Sequence, residues 1–157
     1  MPSEVIYTVS DLSRKRREVA DVARRGVARI RDTDGTGLVL LPAQRYEVLE
    51  AVSRWGDRLG VVERAQTKSR TERTPVDFGD LTWLRHFDDD DLAEFVRELR
   101  QTLSLAYHDN DLTSLMDAIA DWKATAEELA DPARREILLG TVDAADFVEV
   151  TRPQRQR

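Results

Sequence analysis

The chain has 157 residues, of which 41% are hydrophobic and 34% are charged, and its formal net charge is −6. This length fits one or two small soluble domains, and no apolar run approaches the roughly 18 residues that a transmembrane helix needs. The absence of cysteine excludes disulfides and thiolate metal sites and favours a cytoplasmic location.

The charges are divided unevenly along the chain. Residues 1–75 carry 15 basic and 11 acidic side chains, a net charge of +4, whereas residues 76–157 carry 9 basic and 19 acidic ones, a net charge of −10. Opposite signs suggest two separate tasks, and the basic half is the one that could meet nucleic acid. The alternative is a chance distribution of charge over one fold.

The first third of the chain predicts a strand, then a helix. Residues 4–10 (EVIYTVS) are rich in β-formers and predict a strand. Ser10 is a good N-cap for the helix that follows, and Gly26 is a good stop. We therefore expect one continuous helix between these two residues.

A hairpin and a second helix are predicted next. Residues 27–33 alternate apolar and polar side chains, and DGTG at residues 34–37 is a strong turn signal. Residues 38–41 (LVLL) then predict a buried strand. Pro42 suits the start of a second helix, on which Tyr46 and Leu49 fall at helical spacing.

The first helix carries an unusual cluster of cations, RKRR at residues 14–17. Cations near the positive end of the helix dipole are mildly unfavourable, so the cluster suggests an anionic ligand. A solvated helix face is the alternative. Ser13 in the first turn could also donate to a phosphate. The candidate DNA contacts are Ser13, Arg14, Lys15, Arg17 and, on the following strand, Arg31.

The strand, helix, hairpin and helix together are too small to bury much core. Dimerisation would cover their apolar faces, and a two-fold dimer would present the basic cluster twice, as a palindromic DNA site requires. The candidate dimer-interface residues are Leu12, Val19, Leu38 and Leu40.

The stretches YTVSDLSRKRREVADVARRG and ARIRDTDGTGLVLLPAQRYEVL resemble the N-terminal domain of Phd/YefM-type antitoxins. The shared features are a strand ending in Thr-x-Ser, a helix opening Ser-Asp-Leu, a hairpin with a glycine turn and a Tyr-x-x-Leu helix. The resemblance covers residues 4–55. It implies a dimer that binds operator DNA and neutralises a partner toxin, often a ribonuclease.

The remainder of the chain predicts a mostly helical domain. Residues 61–75 are polar and predict either a linker or an extension of the second helix. Two long helices with regular apolar stripes follow, then a short helix from Pro132 and a late strand near residues 146–151. The predicted fold class is therefore α+β: a domain at residues 1–60, a linker at 61–75 and an acidic helical domain at 76–157.

The acidic domain is predicted to bind a partner through its surface. Its stretches EFVRELRQTLSLA and LMDAIADWKATAEEL resemble a small actinobacterial helical domain of unknown function, which implies no activity. An acidic surface would suit a basic ribonuclease toxin. A late strand could add to the edge of a toxin sheet or pair with the N-terminal sheet. The candidate toxin contacts are Trp83, Leu84, Phe87, Phe147, Val148 and Val150.

No motif in the sequence predicts catalysis. The run HFDDDD at residues 86–91 is better explained as a helix N-terminus than as a metal site. Residues 109–120 begin like a calcium loop, but they lack its sixth-position glycine and twelfth-position glutamate. There is also no phosphate-binding glycine loop. We therefore expect no enzyme activity, metal, cofactor or small-molecule substrate.

The expected function is that of an antitoxin and transcriptional autoregulator, with operator DNA, a toxin and a second copy of the chain as partners. A DNA-binding regulator without a toxin is the first alternative. A protein-interaction scaffold that does not bind DNA is the second.

Overall fold

A computed structural model describes residues 5–138 and Gly140. The fold class is α+β, and about 70% of the described residues are helical. The described residues fall into two compact units: the chain up to Asp57 together with Arg100–Leu115, and Arg58–Leu99 together with the chain from Met116 onward. Three helices, α3 (Ala43–Gln66), α4 (Asp89–Asp109) and α5 (Thr113–Ala130), run through this division.

The first unit contains a small sheet of three strands. Strands β1 (Ile6–Thr8) and β2 (Ala28–Arg31) pair in parallel, and β2 pairs with β3 (Gly37–Leu40) in an antiparallel hairpin. The hairpin turn needs Gly35, whose φ of 89° is in the left-handed region. The order β1-β2-β3 leaves β3 at one edge of this sheet.

The predicted single helix after β1 is divided into α1 (Val9–Arg14) and α2 (Arg16–Arg25). Lys15, with φ −122° and ψ 31°, interrupts it. The N-cap is Thr8 rather than Ser10: the carboxylate of Asp11 accepts bonds from both the Thr8 backbone N–H and the Thr8 hydroxyl, each at 2.8 Å. This capping box starts the helix two residues earlier than expected.

The core of the sheet lies between its inner face and α2. Alternate strand residues point inward, where they meet the apolar stripe of α2. The buried residues are Tyr7, Val19, Ala23, Ala28 and Ile30, with Val22 packed against them.

The predicted linker at residues 61–75 is partly helical. Helix α3 continues to Gln66, and Val62 and Ala65 on it are buried. Up to Gln66 the segment is therefore an extension of the second helix and not a linker. The domain boundaries also differ from the predicted ones, because residues 100–115 belong with the first unit. Sequence patterning could not reveal this return of the chain.

The second unit contains two short 3₁₀ helices, Pro75–Phe78 and Thr82–His86, parts of the three long helices, and α6 (Pro132–Leu138). The acidic run at residues 88–91 begins α4, where the Asp91 N–H donates to the Asp88 carboxylate at 2.9 Å. Among the described residues, no helix is both long and apolar enough to cross a membrane. The predicted strand near residues 146–151 lies outside the described residues.

Candidate nucleic-acid interface

The basic cluster of the first unit surrounds the break between α1 and α2. Arg14 ends α1, Lys15 is the break, and Arg16 and Arg17 begin α2. All of these side chains are exposed, as is Ser13. The end of one helix and the start of the next therefore lie within four consecutive residues, all of them exposed cations.

None of the three arginines of this cluster forms an ion pair within 4.0 Å among the described residues. Lys15 lies 4.0 Å from the Asp11 carboxylate, and Arg14 is near enough to contribute to the lowered pKa of the same group. That carboxylate already accepts two bonds from Thr8, whose backbone N–H is the main reason that the pKa of Asp11 is lowered. At the other end of α2, by contrast, Arg24 pairs with Asp21 at 2.6 Å. The cluster is therefore positive charge that the chain itself leaves largely uncompensated.

The sheet holds this cluster in a fixed place. The Tyr7 hydroxyl donates to the Glu18 carboxylate at 3.1 Å, which ties the first turn of α2 to β1. Burial and this bond raise the pKa of Tyr7. Because Tyr7 and Val19 are both buried, α2 can rotate little on the sheet.

Arg31, the last residue of β2, lies beside the start of α1. The parallel register pairs Arg31 with Thr8, the residue that caps α1. Its neighbour Ile30 is buried, and Arg31 itself is exposed on the face of the sheet away from α2. The structure thus brings Arg31 to the edge from which α1 begins.

The candidate dimer residues divide into exposed and buried ones. Leu12 is exposed, and Leu38 and Leu40 on β3 are 44% and 40% exposed. Val19, in contrast, is 0% exposed. Its assignment to a dimer interface is wrong, because its side chain is used entirely in the core of its own chain.

Strand β3 was expected to be buried, yet all four of its residues are exposed. Leu38 and Leu40 pair with the inward-facing Ile30 and Ala28, but they lie at the edge of the sheet. Val39 faces the other way and is 57% exposed. An apolar strand with both faces open is typical of a protein–protein interface.

A groove on the outer face of the sheet was missed in the sequence. It has a volume of about 740 Å³ and lies between the sheet and α3. The continuous apolar run of residues 38–41 was the available signal, because a strand with one solvent face alternates instead. Its apolar lining residues are Val27, Val39, Leu41, Tyr46 and Leu49.

The candidate toxin contacts in the second unit are mostly core residues. Leu84 and Phe87 are buried and Trp83 is half-buried. Trp83 packs edge-on against Phe87 and Phe95, with ring centroids 6.3 and 5.7 Å apart. As an exposed contact Leu84 is therefore wrong, since packing covers it completely, and Phe87 is buried except where it lines a groove. Phe147, Val148 and Val150 lie outside the described residues.

Comparisons with family models, with curated proteins and with solved structures each give no match to this chain.

Proposed function

We propose that this protein is a dimeric DNA-binding autoregulator of the antitoxin type. The observation that carries the proposal is the exposed basic cluster, whose arginines form no ion pair within 4.0 Å among the described residues. A chain with a net charge of −6 that leaves these cations uncompensated is suited to an external polyanion. Arg14, Lys15 and Arg17 contact phosphates, with Ser13 and Arg31 beside them.

The apolar surface of β3 supports the dimer. Leu38 and Leu40 are exposed at a sheet edge that, among the described residues, has no neighbouring strand. A second copy that covers this edge would remove an otherwise unfavourable surface. It would also present two basic clusters related by a two-fold axis, which is the symmetry of a palindromic operator.

The antitoxin part of the proposal comes from the Phd/YefM resemblance of residues 4–55 and from the acidic second half. A toxin that attacks RNA carries basic surface, and a net charge of −10 over residues 76–157 would attract it. In this scheme the protein works in the cytoplasm, where both DNA and toxin are found.

The DNA proposal is tested by fluorescence anisotropy on the DNA upstream of the protein's own coding sequence. Replacing Arg14 and Arg17 by alanine should weaken binding by at least about tenfold, because phosphate contacts supply most of the affinity. The matched control replaces Arg24 and Arg25, which removes the same charge from the other end of α2. Equal binding by the two double variants contradicts the assignment.

A separate experiment distinguishes an antitoxin from a regulator without a toxin. The product of the gene adjacent to this one is co-expressed with the full chain, and both growth and co-purification are measured. Rescue of growth together with a stable complex supports the antitoxin. DNA binding without either result supports the regulator.

A further inference from the structure

The second unit contains an apolar groove between α4 and α5. Its volume is about 470 Å³, within the range of binding pockets. Phe87, Trp122 and Leu129 form its apolar part. The Trp122 indole N–H donates to the Glu98 carboxylate at 2.7 Å, and the ring packs edge-on against Phe87 with centroids 5.1 Å apart. These contacts fix the indole, so the groove is preformed.

Carboxylates surround this groove, and no basic side chain lines it. Asp121 forms no ion pair with any described residue. Asp88 and Asp91 accept backbone N–H bonds at the start of α4, and neither has a cationic partner among the described residues. A smaller adjoining cavity shares these two aspartates and is also lined by Arg70, His86 and Arg135. The groove therefore presents three aspartates without an ion pair among the described residues, Asp88, Asp91 and Asp121, around an apolar centre.

The geometry points to one occupant: we infer that the groove binds a basic amphipathic helix of the partner protein. Asp91 and Glu98 are seven residues apart on α4 and so about 10 Å apart along its axis, the length of two helical turns. Two turns carry apolar anchors at i, i+4 and i+7, which is how a helix binds in a groove. Arginine or lysine flanking those anchors would meet the carboxylates. The inference rests on the proposed function, in which the partner is the toxin.

Two matched variants on α5 test the groove. Thr125 lines it and is exposed, whereas Ala124 is exposed on the same helix and does not line it. Thr125→Arg places bulk and positive charge in the groove. Ala124→Arg adds the same side chain one residue away.

The probe is a synthetic 16-residue peptide with leucine at i, i+4 and i+7 and arginine around them. A second peptide of the same composition has a scrambled order. Isothermal titration calorimetry measures both peptides against the full chain. We expect the ordered peptide to bind at least about tenfold more tightly than the scrambled one, because only the ordered peptide presents its leucines on one face. Thr125→Arg should remove that preference and Ala124→Arg should keep it.

Two results overturn the inference: equal binding of the two peptides, or an ordered peptide that binds Thr125→Arg as well as the unchanged chain. The assay uses neither DNA nor toxin, so it is independent of the proposed function. If the adjacent gene product is neutralised equally by both arginine variants, the groove assignment fails while the antitoxin proposal stands. If the peptide results hold but no adjacent gene product is neutralised, the antitoxin proposal fails instead.

Discussion

Arg73 and Asp89 form an ion pair at 2.8 Å in which the arginine side chain is 7% exposed and the aspartate side chain is 63% exposed. The guanidinium also donates to two main-chain carbonyls, those of Ala65 and Lys68, each at 3.0 Å. Arg73 therefore joins the end of α3, the turn after it and the start of α4. It uses its planar fork to do so, which a lysine could not reproduce.

Replacing Arg73 by methionine should lower the free energy of unfolding by about 2–3 kcal/mol, because three charged hydrogen bonds are lost, one of them to the part-buried Ala65 carbonyl. Asp89→Asn should cost less than about 1 kcal/mol, because the Asp89 carboxylate is 63% exposed and Arg73 keeps both of its main-chain acceptors. Urea denaturation followed by tryptophan fluorescence measures both. Arg70→Met is the control, since Arg70 is exposed and has no partner among the described residues. Equal midpoints for Arg73→Met and Arg70→Met would contradict this role.

Asp77 should make stability depend on pH in the acidic range. The Lys68 ammonium at 2.6 Å and the Thr74 N–H at 2.8 Å lower the pKa of Asp77 from 3.8 to about 2. A depressed folded-state pKa stabilises the fold above the unfolded value, and this contribution is lost as pH falls from 3.8 towards 2.

The Asp77→Asn variant should therefore be less stable than the unchanged chain near pH 6, and the two should converge near pH 2. Urea midpoints at several pH values measure the difference. Asp117→Asn, on the exposed surface of α5, serves as the control for removing one charge. A difference in urea midpoint between the two proteins that stays constant from pH 6 to pH 2 would contradict this prediction.

The salt dependence of the DNA-binding constant should give the number of phosphate contacts. If Arg14, Lys15 and Arg17 of both protomers each contact a phosphate, six contacts give a log–log slope of about −5. Removing Arg14 and Arg17 leaves two contacts and a slope of about −2. Anisotropy titrations at several salt concentrations measure both slopes. A variant slope that remains near −5 would show that other residues neutralise the DNA.

Sedimentation should find the full chain dimeric at micromolar concentration. Leu40→Arg places a charge on the exposed edge strand and should give a folded monomer, since burying an unpaired charge at an interface is costly. Val76→Arg is the control, because Val76 is 85% exposed on the second unit. A folded monomer for the unchanged chain would remove the two-fold model of DNA binding.

Replacing Asn110 by alanine should lower the stability of the protein. Asn110 lies between α4 and α5, and its φ of 54° is in the left-handed region. Its backbone carbonyl accepts a bond from the Gln44 side chain at 2.9 Å, so the loop is held in place. We expect Asn110→Ala to lose about 1 kcal/mol and Asn110→Gly to lose much less, because glycine adopts this conformation without strain. Thermal unfolding compares the two, and equal losses would show that side-chain contacts decide instead.

The sequence predicted the elements of this fold better than their ends and surroundings. Hydrophobic spacing located α4 and α5, because a stripe of apolar residues is a local property. The start of α1 was missed by two residues, since the Thr8–Asp11 capping box competes with Ser10 as a start signal, and no local signal in the sequence marked the break at Lys15. The burial of Leu84 and Phe87 was missed because it depends on helices that lie far along the chain. The basic cluster could be identified without tertiary information, because its residues are consecutive in the sequence. The structure shows these residues exposed on the surface, as expected.

The return of residues 100–115 to the first unit has a consequence for folding during synthesis. The Arg45 guanidinium lies 4.5 Å from the centre of the Tyr107 ring and donates to the Tyr107 carbonyl at 2.8 Å. These contacts join segments about 60 residues apart, so the ribosome must release the chain to about residue 115 before the first unit can close. A nascent chain that stops shortly after α3 would hold the helices of the basic cluster without the full support of their own unit. Under the proposed function, competence to bind DNA should therefore arise late in translation.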